Sequence, residues 1–100
     1  MPQPVYIAQT QLVRRIARDA KCRWEWRKHY FIEAAKEDPP ITQPDVEEAL
    51  RHGTVILEEN NKKDIVWQVK GRDLDLRSIV VVIALFEREK RIKVITVWTS

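Results

Sequence analysis

Apolar residues change their spacing halfway along the chain. Up to residue 53 they recur at three- and four-residue intervals; from residue 54 they alternate or run together. Val13, Ile16, Ala17 and Ala20 follow an i, i+3, i+4, i+7 pattern, which predicts an amphipathic helix over residues 5–21. Residues 22–27 alternate apolar and charged, so a short extended segment is expected with Trp24 and Trp26 on one side. Phe31, Ala34 and Ala35 give residues 28–37 a helical face. Asp38-Pro39-Pro40 ends that helix, because proline disfavours helical geometry in the residue before it.

The next helix has its start and stop written in the sequence. Thr42 is placed to cap the N-terminus, and Asp45, three residues on, completes a capping box. Ile41 and Val46 occupy the two positions of a hydrophobic staple. Val46, Ala49 and Leu50 form the apolar stripe, and Gly53 suits a left-handed residue after the helix.

Four β-rich runs follow. Residues 54–59 form the first, and the polar positions 60–64 make a turn. In the second, Ile65, Trp67 and Val69 face one way and Val66, Gln68 and Lys70 the other. Residues 71–76 connect to the unbroken apolar run 79–86, a central strand covered on both faces. The last strand, 91–98, places Ile92, Val94, Thr96 and Trp98 on one side and Ile95 and Val97 on the other. Short connections favour antiparallel hairpins. The expected fold is α+β: a four-stranded antiparallel meander with helices on one face. The second face of 79–86 then needs cover from the N-terminal helix or from another subunit.

One hundred residues make one domain with a single modest core. With 44% apolar and 33% charged residues, the composition is that of a soluble globular chain. No apolar run approaches the ~20 residues that span a bilayer. The first 20 residues lack the apolar stretch of a signal peptide, so a cytoplasmic location and no membrane partner are expected. Cys22 is the lone cysteine, which rules out an internal disulfide and a cysteine-rich zinc site. No metal-ligand cluster, phosphate-binding glycine loop or nucleophile motif is present, and no cofactor is expected.

Charge is unevenly spread beneath a net +3. Residues 1–36 hold eight Lys/Arg against three Asp/Glu, residues 37–64 three against eight, and residues 65–100 seven against four. Basic ends attract nucleic acid or an acidic partner. Arg14, Arg18 and Lys21 form a stripe on the first helix, suited to phosphates, to an acidic helix or to solvent. Trp24 and Trp26 lie beside Arg23 and Arg27 and suit base stacking or the core.

From about residue 28 to 98 the chain resembles the bacterial domain family of unknown function numbered four-two-five-eight. The stretches that carry the likeness are His29-Tyr30-Phe31-Ile32-Glu33, Ile41-Thr42-Gln43-Pro44-Asp45-Val46-Glu47-Glu48-Ala49-Leu50, and Gly53-Thr54-Val55-Ile56-Leu57-Glu58-Glu59. Gly71-Arg72, the 79–86 strand and Val94-Ile95-Thr96-Val97-Trp98 complete the set. Ala35 to Pro40 stand where the family carries Met-x-x-Arg-Gly. Residues 1–27 form an N-terminal extension of the family-like core.

The resemblance implies a fold related to small ribonuclease toxins of the RelE and BrnT kind, with an extra N-terminal helix here. It also implies metal-free RNA cleavage or RNA binding, with an acidic antitoxin-like protein as partner. Such cleavage needs a base, an acid and cations around the phosphorane. His29 matches the family's histidine and belongs to the residue type that titrates near neutrality. Arg72 and Arg77 flank the connection before the central strand and suit a phosphate clamp. Lys70, Lys93 and Trp98 are RNA-binding candidates, with Arg14 and Arg18 on the first helix. The competing reading is a non-catalytic interaction module, a homodimer or a protein-binding domain.

Overall fold

The computed structural model describes residues 6–60 and 63–100. The predicted helix start at residue 5 and turn positions 61 and 62 lie outside the described residues. Three helices and five strands follow in the order α1 (Ile7–Arg18), β1 (Arg23–Trp26), α2 (Lys28–Lys36), α3 (Gln43–His52), β2 (Thr54–Asn60), β3 (Ile65–Arg72), β4 (Ser78–Phe86) and β5 (Arg91–Thr99). A 3₁₀ turn at Glu87–Glu89 joins the last two strands.

α1 buries Thr10, Val13, Ile16 and Ala17 but ends three residues before position 21. Asp19 is extended, and its carboxylate accepts a hydrogen bond from the Lys21 amide at 2.8 Å. That local bond offers the backbone an alternative to another helical turn. Ala20 is therefore exposed rather than part of the apolar face. In α2 the buried residues are Tyr30 and Ala34, while Phe31 and Ala35 are exposed, which corrects the expected face. The Tyr30 hydroxyl donates to the Ile41 carbonyl at 3.1 Å and ties α2 to the approach of α3.

α3 matches its sequence signals closely. Thr42 and Asp45 form the capping box, and Ile41 and Val46 are both buried. Gly53 is the exception, with an extended φ of −79°. Its requirement is close approach rather than a left-handed backbone. A Cβ at Gly53 would stand 2.5 Å from the Ala49 carbonyl oxygen and 2.9 Å from that of Lys70. Gly71 presses against the same Ala49 backbone from β3.

The sheet is mixed and five-stranded, in the order β1-β5-β4-β3-β2. The expected antiparallel meander is present as β2 to β5. The correction is β1, which adds in parallel to β5 and pairs Trp24 with Ile92 and Trp26 with Val94. Trp24 and Trp26 stack at 5.9 Å, and Trp26 meets the Tyr30 ring at 4.9 Å. Both tryptophans pack against the main core.

That core lies between the helices and one sheet face, and it unites Val13, Tyr30, Leu50, Val69, Val81 and Ile92. A smaller cluster of Val66, Val82 and Ala84, joined by Phe86 and Ile95, occupies the other face. The buried apolar residues of all three helices belong to the main cluster, so of the two covers expected for the second face, the N-terminal helix is not the one. Side chains of the flanking strands stand beside β4 there: Gln68 and Thr96 are in register with Val82, and Lys70 and Trp98 with Val80.

A β-bulge corrects the alternation of β5. Val94 pairs with Ile83 and Thr96 with Val82, which leaves Ile95 as an extra residue. Beyond it the faces exchange. Ile92, Val94 and Val97 point to the main core, and Thr96 and Trp98 join Lys93 on the open face.

Candidate functional site

β1 runs straight into α2. The Arg27 amide donates to the Val94 carbonyl at 2.9 Å, and Arg27 then serves as the extended residue before the first turn. This junction brings Arg27, Lys28 and His29 to one lining with Lys93 and Ile95 of β5. Together with Lys63 they border a cavity of about 950 Å³ whose apolar lining is Ile32, Val66 and Ile95. Lys93 and Asp64 complete it. Four cations therefore meet one carboxylate around a pocket with an apolar surface.

The Lys93 ammonium is the most enclosed of these charges. Its side chain is 14% exposed, and Nζ lies 3.3 Å from Asp64 Oδ2 and 5.5 Å from the centre of the Phe86 ring. Arg91 covers the same ring at 4.0 Å and is held by Glu25 and Glu89. Arg27, Lys28 and Lys63 make no ion pair among the described residues. Beyond the cavity the open face continues to Thr96 and Trp98, with Lys70 across Val80. Trp98 is 37% exposed.

The structure thus brings His29 and Lys93 to one cavity and puts Lys70 and Trp98 farther along the same sheet face. Arg72 lies elsewhere. It borders a second cavity of about 410 Å³ with His52, Glu48 and Lys70, and its Nη1 donates to the Leu76 carbonyl at 2.9 Å. Arg77 is engaged by the fold. Nε donates to the buried Asp73 carboxylate at 2.8 Å, and Nη1 to the Pro39 carbonyl at 2.6 Å. Neither arginine lines the His29 cavity.

Arg14 and Arg18 close the C-terminus of α3. Arg14 donates to the carbonyls of Gly53 at 2.8 Å and His52 at 3.2 Å, and Arg18 to that of Arg51 at 3.0 Å. A helix leaves its last carbonyls unpaired and its C-terminus partly negative, and both features suit a guanidinium. His52 sits among these groups, with Nε2 3.5 Å from Glu48 and Nδ1 3.3 Å from Arg18 Nη2.

Lys28, Lys63 and Asp64 are cavity residues that the sequence reading did not single out, and Arg27 was named only as a neighbour of the tryptophans. Arg27 and Lys28 directly precede His29, so that part of the basic cluster was visible as a run. Lys63 and Asp64 arrive through the β2–β3 turn, and no local pattern ties that turn to β5.

The fold defines an α+β domain with helices against a mixed sheet and a basic cavity bordered by the start of α2, the end of the β2–β3 turn and β5. Residues 26–99 match the family described as Domain of unknown function (DUF4258), and the chain belongs to that family. No curated protein and no solved structure matches the chain. No helix among the described residues is long and apolar enough to cross a membrane.

Proposed function

We propose that this domain binds single-stranded RNA at the His29–Lys93 cavity and cleaves it there without a metal. The observation that supports this reading is the cluster of Arg27, Lys28, Lys63 and Lys93 around an apolar pocket that also holds an imidazole. Phosphates need cations, whereas bases and riboses need apolar or aromatic surface. The open face offers both along β5, from Lys93 to Trp98. His29 is the proton-transfer residue in this reading. It takes the proton of the attacking 2′-hydroxyl, the 2′-oxygen bonds to phosphorus as the phosphorus–5′-oxygen bond breaks, and the leaving 5′-oxygen takes a proton from water. The cations stabilise the charge that builds on the phosphorane. The reaction class is the one that the family resemblance in the sequence implies, and an acidic antitoxin-like protein would compete for the same basic surface.

A labelled single-stranded RNA, titrated against wild type, His29→Ala and Lys93→Ala, tests both parts. Lys93→Ala is expected to weaken binding. His29→Ala is expected to retain binding and to lose the 2′,3′-cyclic phosphate product. Binding unaffected by Lys93→Ala sinks the assigned site, and cleavage that survives in His29→Ala removes that residue from the chemistry.

A second reading, a protein-interaction module without catalysis, is favoured by the β3–β4 connection. Leu74 and Leu76 are 59% and 71% exposed there. Asp73 holds that loop in place by accepting from the Asp75 and Arg77 amides at 3.0 and 2.8 Å. Loss of a co-purifying protein in a Leu74→Ser/Leu76→Ser variant with unchanged RNA behaviour would establish it.

A further inference from the structure

We infer that Asp64 is an internal competitor for the RNA phosphate, a carboxylate latch on Lys93 that incoming RNA must displace. The inference rests on the RNA reading of this cavity. Its basis is the unequal state of the four cations. Arg27, Lys28 and Lys63 are without ion-pair partners among the described residues, so a phosphate meets them with nothing to displace. Lys93 is different. It is the most enclosed of the four, and its ammonium already faces a carboxylate oxygen at 3.3 Å.

A carboxylate and a phosphate oxygen present the same chemistry to an ammonium: a negative acceptor at hydrogen-bond distance. Asp64 therefore occupies the place a phosphate would take on Lys93. Both residues of the pair line the cavity. Asp64 reaches Lys93 from the segment just before β3, so release breaks one side-chain contact and leaves the β3–β4 and β4–β5 ladders intact. The 3.3 Å separation and the 33% exposure of Asp64 leave the carboxylate side of the pair open to exchange, while Lys93 is 14% exposed. The consequence is selectivity by charge density. A ligand with one weak anionic group gains little by replacing Asp64, whereas a polyanion held by the outer cations delivers a phosphate to Lys93 at high local concentration.

The test is a double-mutant cycle read as RNA affinity at fixed low salt. Wild type, Asp64→Asn, Lys93→Ala and the double variant are titrated with one labelled single-stranded RNA, beside Asp75→Asn. Asp75 is exposed on the β3–β4 connection, so its substitution makes the same charge change away from the cavity. Asp64→Asn is expected to tighten binding about two- to five-fold more than Asp75→Asn, the range of an exchangeable ion pair. That extra gain is expected to vanish in the Lys93→Ala background. An equal gain from Asp64→Asn and Asp75→Asn, or a gain that survives without Lys93, overturns the latch. If Lys93→Ala still weakens binding in that case, the RNA reading stands alone. Absence of RNA binding by every chain overturns both.

Discussion

Arg14 Nε donates to the Gly53 carbonyl at 2.8 Å, joining the basic stripe of α1 to the end of α3. The same guanidinium reaches His52 O at 3.2 Å. A stripe that suits phosphates in the sequence is occupied with the backbone of a neighbouring helix. Arg14→Ala is therefore expected to cost about 1 kcal/mol of stability through lost hydrogen bonds to helix-end carbonyls. It should weaken RNA binding less than Lys93→Ala does. Urea unfolding and RNA titration of both variants check the two halves.

Gly71 is expected to tolerate no side chain. A Cβ there would meet the Ala49 backbone, which cannot move without displacing α3 from the sheet. Gly71→Ala should destabilise by about 1–3 kcal/mol, the usual cost of overpacking. A urea midpoint indistinguishable from wild type would show that α3 can shift freely.

Asp45 governs acid stability at the α3 N-terminus. Burial pushes its carboxyl up, but the Thr42 and Leu74 hydrogen bonds and the Arg77 charge outweigh that and hold it below its ordinary value. A carboxyl lowered on folding contributes stability that is fully present above the unfolded value of 3.8 and is lost as pH falls through the folded one. Asp45→Asn should cost about 1–2 kcal/mol at neutral pH. The gap from wild type should narrow below about pH 4. Unfolding midpoints from pH 7 to pH 3 test the sign, and a gap that widens in acid would reverse it.

Cys22 should be a poor nucleophile. Burial, with the Asp19 and Glu47 charges, pushes its thiol up to about 11. Since the thiolate is the reactive form, alkylation should be slow at neutral pH and should rise toward a midpoint near that value. The pH–rate profile with iodoacetamide shows it directly. A midpoint near 8 would mean that the thiol escapes its surroundings.

RNA binding should depend on salt in proportion to the cations engaged. Single-stranded binding loses about 0.7 in log K per log unit of salt for each phosphate neutralised. Engagement of all the lining cations would give a slope of roughly −3, and Lys93→Ala should make it shallower by about 0.7. A slope near zero would leave the cavity without a phosphate role.

Local signals were legible because the contacts they specify are local. The capping box joins Thr42 to Asp45, three positions on, and the staple joins Ile41 to Val46, five positions on. The β-rich runs likewise announced β2 to β5, alternating in β3 and β5 and unbroken in β4. Trp24 and Trp26 were correctly placed on one side of an extended segment, but their strand partner lies nearly seventy residues later in the chain, in β5. Alternation reports which face a residue takes and leaves its neighbour unnamed.

The family, the α+β class, the N-terminal cap of α3 and the antiparallel order of β2 to β5 were thus determined by the sequence itself. They depend on motif order and short-range periodicity. The tertiary structure alone decided the parallel docking of β1, the bulge at Ile95 and the meeting of His29, Lys63 and Lys93 in one cavity. Each depends on register between distant segments. One extra residue at Ile95 moves Trp98 onto the Lys93 face, because side-chain direction in a strand alternates and a single insertion reverses it. The partners of Arg14 and Arg77 were decided in the same way, by backbone carbonyls that long-range packing carried within reach.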